Sequence, residues 1–221
     1  MPAKTLVDLV CRRCETGRSI SGPDGRELDH VALCNAADAI GAALAARALG
    51  IDTEAIRRGI ESVQGVPGRF ESIEEGQPFA VVVDYAHTPD SLANVLRAAR
   101  TLGRGRLTVV FGAGGDRDRA KRPAMGRVAR ELADRAILTS DNPRSEAPEA
   151  IAAEVAGGHP AAYTIELDRR AAIELALAEA EPGDVVVVAG RGAEPEQELA
   201  TGKVPFDDRE VVRALLRRVV G

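Results

Sequence analysis

Residues 79–84 read Phe79-Ala80-Val81-Val82-Val83-Asp84, and residues 184–189 read Asp184-Val185-Val186-Val187-Val188-Ala189. Neither run alternates apolar with polar side chains. A strand with one wet face shows that alternation, whereas an unbroken apolar run fits a strand covered on both faces, as in parallel sheets flanked by helices. Leu107 to Phe111 (LTVVF), Ala136 to Thr139 and Ala162 to Leu167 extend the series. Between these runs lie stretches with helical spacing at about 90–102, 123–133, 147–155 and 169–180. Regular alternation of this kind predicts an α/β fold with a doubly wound, mostly parallel sheet. A last helix is expected to run to about Val219, with Asp207 as its cap and Glu210 in the reciprocal capping-box position.

Upstream of the strands, Asn35 to Leu49 (NAADAIGAALAARAL) is alanine-rich and helical, and Gly50 ends it as a C′ residue. Thr53 is expected to cap a second helix running through Ser62. Gln64-Gly65-Val66-Pro67-Gly68 reads as a linker. The chain therefore divides into a head at 1–34, a short helical segment at 35–66 and the α/β domain at 67–221. The head shows little periodicity and carries a turn signal at Ser21-Gly22-Pro23-Asp24-Gly25. Its Cys11 and Cys14 form a CxxC pair followed by His30 and Cys34, residue types that bind Zn²⁺. The spacing is unusual and no second CxxC is present, so the expectation is no metal, a poorly packed head and Cys34 buried as a small apolar residue.

Aromatic residues make up 3% of the chain and Trp is absent, so Ala, Val, Leu and Ile must fill the core. The net charge of −5 excludes the basic surface of a nucleic-acid binder. Arg117, Arg119, Lys121 and Arg122 nevertheless cluster, which fits either a local anion site or a solvated helix start. No apolar run approaches the ~20 residues of a membrane span, and Met1 to Val10 lacks the apolar core of a signal peptide. The expected location is cytoplasmic and away from the membrane. Three Cys is an odd count and argues against a disulfide framework.

Open parallel sheets bind ligands beyond the C-terminal ends of their strands. The segments just after the expected strands are Asp84-Tyr85-Ala86-His87, Gly112-Ala113-Gly114-Gly115-Asp116-Arg117, Ser140-Asp141-Asn142-Pro143-Arg144 and Gly190-Arg191-Gly192-Ala193-Glu194. Almost all the unusual polar chemistry of the chain falls in these four. Gly112-x-Gly114 lacks the third glycine of a dinucleotide fingerprint, because Arg117 occupies its place, and no G-x-x-x-x-G-K-[ST] phosphate loop exists. Arg117 and Arg144 can each take a carboxylate in a fork, Asn142 both donates and accepts, and Glu194 can accept an ammonium. The set suits a zwitterionic amino acid with more than one carboxylate. The plainer reading pairs Arg144 with Glu146 across a surface loop, worth little.

The segments VVVDYAHTPDSL (81–92), FGAGGDRDRAKRPAMGRVA (111–129), TSDNPRSE (139–146) and AGRGAEPEQ (189–197), with VPGRFE (66–71) before them and FDDREVVRALL (206–216) after, together resemble the C-terminal domain of the diaminopimelate-adding Mur ligases. The order and spacing match from Asn35 onward. The resemblance implies a Rossmann-like amino-acid-binding domain at 67–221, preceded at 35–66 by the helical remnant of a central ATPase domain. It implies that Asp141, Asn142, Pro143 and Arg144 recognise meso-diaminopimelate, with Arg144 discriminating against lysine. Arg117 would be a second carboxylate-binding arginine, and Gly190 and Glu194 would contact the distal amino-acid end. Arg69, Asp84 and His87 would reach the nucleotide, Asp84 at the ribose and His87 near the phosphates. The family usually reads G-K-G-H-E where this chain has Gly190-Arg191-Gly192-Ala193-Glu194, which keeps a charge at Arg191 and loses an imidazole at Ala193. ATP and Mg²⁺ would be held by a central domain that the chain lacks, so the chain alone is expected neither to hydrolyse ATP nor to form the amide. The implied partners are meso-diaminopimelate, a UDP-linked muramyl dipeptide and a separate chain carrying the ATPase domain. The alternative is a non-catalytic amino-acid- or nucleotide-binding module of Mur ligase descent.

Overall fold

A computed structural model of the protein describes residues 20–21, 27–28, 30–63 and 65–220. The Cys11–Cys14 pair, most of the expected loose head and the side chain of Cys34 lie outside the described residues. The chain separates into two units, 1–65 and 66–221, with the division inside the stretch read as a linker.

In the first unit, β1 (Ile20–Ser21) pairs antiparallel with β2 (Glu27–Leu28). Helices α1 (His30–Ala48) and α2 (Thr53–Ser62) follow. Helix α1 starts before Asn35, because His30 to Cys34 contains neither Gly nor Pro to stop it. Asp52, not Thr53, caps α2. Its extended backbone lets Oδ2 accept the amides of Glu54 and Ala55, each at 3.1 Å. Thr53 is then the first helical residue, and its hydroxyl accepts from Arg47 Nη1 at 2.8 Å.

In the second unit, β3 (Glu71–Ser72) lies antiparallel on β4 (Ala80–Asp84). Helix α3 (Pro89–Ala99), β5 (Leu107–Phe111), α4 (Lys121–Leu132), β6 (Arg135–Leu138) and α5 (Pro148–Ala156) come next. Then come β7 (Thr164–Ile165), α6 (Arg169–Ala178), β8 (Val185–Ala189), the hairpin β9 (Glu196–Leu199) with β10 (Gly202–Pro205), and α7 (Asp208–Val220). The six-stranded sheet has the order β3-β4-β8-β5-β6-β7, parallel except for β3.

Connectivity explains the two helical layers. The chain steps one way across the sheet from β4 to β5, β6 and β7, then returns from β7 to β8. Right-handed crossovers put helices on opposite faces when the direction of travel reverses. Leu92, Leu96, Met125 and Val155 accordingly pack from α3, α4 and α5 on Val109, Phe111 and Val187. Ile173, Leu177, Val212 and Leu216 pack from α6 and α7 on Val81, Val110 and Val188. Successive residues of one strand serve opposite faces, so the apolar runs are continuous. This is the doubly wound sheet that those runs imply.

Two expected elements differ in extent. Pro160–Ala162 forms a 3₁₀ turn, leaving only Thr164–Ile165 as strand at the sheet edge. Helix α4 begins at Lys121, ahead of Pro123, because a proline is tolerated in a first turn where its missing N–H has no helical partner. At α7, Asp207 Oδ1 does accept the Arg209 amide at 2.9 Å, but Glu210 turns to Arg213 Nη1 at 2.8 Å and makes no reciprocal box.

Candidate functional site

The segments after β4, β5, β6 and β8 all lie along the C-terminal edge of the parallel strands. The loop after β6 is the most constrained. Asp141 is buried, and its Oδ1 accepts the Asn142 amide at 2.7 Å while Oδ2 has no partner. Burial raises its pKa against the opposing pull of Arg169 and Arg191. Gly190 faces this carboxylate at φ 122°, and a Cβ there would sit 2.5 Å from Asp141 Oδ2. A glycine is required on both counts.

Both halves of the Asn142 amide are engaged. Nδ2 donates to Glu194 Oε2 at 2.8 Å, and Oδ1 accepts the Glu198 amide at 2.9 Å. Gln197 Nε2 donates to the Asp141 carbonyl at 2.6 Å, and the Arg144 amide donates to the Glu198 carbonyl at 3.0 Å. The β9–β10 hairpin is thereby laced to the 141–144 loop. The spacing argument missed this hairpin, because Glu196 to Leu199 is polar and reads as loop. The signal available was the two-residue Ala200-Thr201 connection ahead of Gly202.

Arg144 does not pair with Glu146. Its Nε donates to Glu198 Oε2 at 2.6 Å and its Nη1 to the Gly115 carbonyl at 2.8 Å. Glu146 belongs instead to Arg122, whose side chain is fully buried and bonds Glu146 and Glu154 at 2.8 Å and the Gly114 carbonyl at 3.0 Å. With the Asp116 amide donating to it as well, Glu146 is pulled down to about 2. Asp116 and Arg144 are both non-glycine residues at positive φ, 52° and 53°. Asp116 holds the Ser145 amide and hydroxyl at 3.1 and 2.8 Å. A Cβ on Gly115 would collide with the Pro143 carbonyl, so the loops after β5 and β6 touch through backbone.

The basic cluster resolves into separate roles. Arg122 is structural, Arg119 pairs with Glu154, and Lys121 donates to the His87 carbonyl at 2.8 Å. Arg117 is exposed and has no carboxylate partner among the described residues, donating only to the Asp116 carbonyl at 3.1 Å.

Arg69, Asp84 and His87 gather around Tyr85. The Arg69 guanidinium lies 4.4 Å from the Tyr85 ring centroid, and His87 meets that ring edge-on at 4.7 Å. Asp84 is buried with Oδ2 accepting the Phe70 amide at 2.6 Å and Oδ1 the Ala86 amide at 2.7 Å. Its carboxylate thus holds two turns together, and burial raises its pKa despite those bonds. Burial and the Glu194 carboxylate push the Tyr85 hydroxyl up.

Two buried arginines escaped the spacing argument as well. Arg169, the first residue of α6, forks onto Asp208 at 2.8 and 2.6 Å, both side chains being fully buried. It also donates to the carbonyls of Ser140 at 3.2 Å and Ala189 at 3.1 Å, at the ends of β6 and β8. Arg191 is buried over the Phe206 ring and donates to the carbonyls of Glu196 and Phe206 at 2.7 and 2.9 Å. No pattern of period distinguishes either from a surface arginine.

Among the described residues no group of three or more His, Cys, Asp or Glu is placed to hold a metal, and the chain has no phosphate loop.

Residues 68–192 match the family described as Mur ligase, glutamate ligase domain. The UDP-N-acetylmuramoyl-L-alanyl-D-glutamate–2,6-diaminopimelate ligase of Gloeobacter violaceus is 53% identical over 189 residues, covering 84% of this chain and 38% of that protein. The enzyme of the same name from Syntrophomonas wolfei is 52% identical over 172 residues, covering 76% and 35%. A solved structure of a UDP-N-acetylmuramoyl-L-alanyl-D-glutamate–2,6-diaminopimelate ligase aligns with TM-score 0.66 at 40% identity, over 85% of this chain and 39% of that one. A bifunctional folylpolyglutamate synthase/dihydrofolate synthase, at TM-score 0.56 and 24% identity over 75% of this chain and 39% of that one, shares the fold alone. The chain spans little more than a third of the length of these curated relatives.

Proposed function

The chain belongs to the Mur ligase family, and on that premise we propose that it supplies the amino-acid-binding domain of an ATP-dependent ligase that joins meso-diaminopimelate to UDP-N-acetylmuramoyl-L-alanyl-D-glutamate. Two curated relatives and one solved structure that the chain resembles carry that activity in their names. ATP and Mg²⁺ would be held by the part of the ligase that this chain does not span, on the same or another polypeptide. Such a reaction uses precursors and ATP found in the cytoplasm.

In this reading the chain binds and orients the incoming amino acid. Arg144 and Arg117 offer guanidiniums to its carboxylates. Glu194 keeps Oε1 for an ammonium while Asn142 fixes its Oε2. The free amine at the other end is thereby aimed at an activated carbonyl. The nitrogen lone pair forms the C–N bond, the C–O bond to phosphate breaks with its electron pair, and the amine loses a proton. Orientation of this kind is worth up to about 7–11 kcal/mol of barrier. Arg69, Asp84 and His87 form a secondary surface toward the nucleotide.

The observation that carries the reading is Arg144. Its backbone holds φ 53°, a conformation that costs a non-glycine residue about 1–3 kcal/mol. Arg144 lines a surface depression of about 440 Å³ together with Ser145, Glu198 and Lys203. Calorimetric titration of meso-diaminopimelate and lysine against wild type, Arg144→Ala and Arg144→Lys tests it. Wild type should prefer meso-diaminopimelate by about one to two powers of ten, because it alone of the two brings a distal carboxylate to the Arg144 guanidinium. Both variants should lose most of that preference. Equal affinities across all three proteins would sink the assignment.

A further inference from the structure

Arg144 lacks an open two-N–H edge in this structure. A guanidinium binds a carboxylate through parallel N–H pairs, either Nη1 with Nη2 or Nε with Nη2. Nη1 faces the carbonyls of Gly115 at 2.8 Å and Asn142 at 3.4 Å. Nε is taken by Glu198 Oε2 at 2.6 Å. Nη2 alone has no partner among the described residues. The Nη1 contacts are backbone carbonyls of loops locked by Gly115 and Asn142, and they cannot leave. The Nε contact is a side chain on the β9–β10 hairpin, two-thirds buried, and it can.

Glu198 also has somewhere to go. Lys203, its cross-strand partner in the hairpin register, holds Nζ 3.4 Å from Glu198 Oε1. Both cations lower the Glu198 pKa, Lys203 first. The carboxylate is therefore shared between a guanidinium that lines the depression and an ammonium on its outer wall.

Resting on the proposed amino-acid site, we infer that Glu198 is a placeholder carboxylate. It occupies the Nε edge of Arg144 and shifts to Lys203 when the distal carboxylate of the ligand arrives. The exchange keeps every charge paired, one carboxylate replacing another on Arg144. It also makes Glu198 a residue that limits how far the site prefers a ligand with a distal carboxylate. A ligand lacking the distal carboxylate cannot displace it and meets an Arg144 that is already satisfied.

The sign of one substitution decides the matter. Glu198→Gln removes the competing anion and keeps the shape, so meso-diaminopimelate should bind about two- to five-fold tighter, the worth of a partly exposed ion pair. Lysine affinity should not change, so selectivity rises. Lys203→Met leaves Glu198 with Arg144 as its sole cation and should weaken meso-diaminopimelate by a similar factor. In an Arg144→Ala background, Glu198→Gln should have no effect on either ligand. Titration of the full chain reads all of these. If Glu198→Gln weakens meso-diaminopimelate, Glu198 is a direct contact to the ligand ammonium, and the placeholder idea falls while the site stands. Equal tightening of both ligands means general loosening of the hairpin and also overturns it. No binding of either ligand by wild type or any variant overturns the site reading itself.

Discussion

Arg169 and Arg144 stand on the same crevice and carry the same group, yet they are built for opposite tasks. Arg169 sits beneath the crevice with no solvent exposure, forked onto an equally buried Asp208, its other donors on the Ser140 and Ala189 carbonyls. Arg144 sits at the rim, 22% exposed, with a partly exposed glutamate as partner. A sealed pair cannot exchange partners, because either ion left alone would be desolvated without compensation. A rim pair can, since water and a second ion cover the loss. The floor therefore fixes where β6 and β8 end, and the rim supplies charge that a ligand can claim.

The largest test of that contrast is stability. Arg169→Ala strands Asp208 as a buried unpaired anion and should cost about 3–5 kcal/mol. For a domain of this size that lowers Tm by roughly 6–20 °C. Arg144→Ala should cost about 0–1 kcal/mol. Replacing both buried ions, Arg169→Met with Asp208→Leu, should recover most of the loss. Thermal unfolding of the four proteins checks this, and equal losses for Arg169→Ala and Arg144→Ala would erase the distinction between floor and rim.

The same contrast explains what the sequence made legible. The layered sheet followed from runs such as Val185 to Val188, because burial on both faces demands apolarity at every position. The site edge followed from strand polarity alone. Arg144, Asn142 and Glu194 were legible as chemistry, but their partners were not. Glu198 lies on a hairpin too polar to register as strands, and the plainer alternative paired Glu146 with Arg144, whereas Glu146 meets the buried Arg122. A buried arginine carries no periodic mark. Its burial is decided by Glu146, Glu154 and Asp208, which are distant in sequence and meet it only when the fold closes. The functional assignments of Arg69, Asp84, His87, Arg117, Pro143 and Gly190 rest on family resemblance and on position.

Asp141 sharpens the comparison from the other side. It lies at the floor but keeps an unpartnered Oδ2, and burial raises its pKa. A floor carboxylate with one oxygen left unpartnered is open to a role beyond stability. Asp141→Asn preserves the acceptor for the Asn142 amide and removes a desolvated charge, so the domain should be unchanged or more stable at pH 7, by about 0–2 kcal/mol. Binding of meso-diaminopimelate should weaken if the carboxylate serves the ligand. A clear drop in Tm for Asp141→Asn would make it a structural ion like Asp208.

The smallest expected effect concerns acid, where Glu146 falls between the two classes. Its partner Arg122 is buried, but its own carboxylate reaches solvent. The Arg122 guanidinium and the Asp116 amide depress its pKa from 4.5 to about 2. A depressed carboxylate contributes stability that is fully present above its ordinary value and is lost as pH falls through the folded value. The Glu146 contribution should therefore fade between about pH 4.5 and 2. Asp84 and Asp141 have the opposite sign: with raised pKa values they favour the fold when protonated, and that contribution is lost as pH rises. Urea midpoints should accordingly drop below about pH 4.5 as Glu146 takes up its proton, with Asp84 and Asp141 working against that drop. Glu146→Gln should be less stable than wild type at pH 7, while its acid decline should be shallower, because the group that would take up the proton is gone. If the acid limbs of wild type and Glu146→Gln run parallel, the Arg122–Glu146 pair does not hold the loops after β5 and β6 together in solution, and the rim would have to be anchored through Asp116 and Ser145 instead.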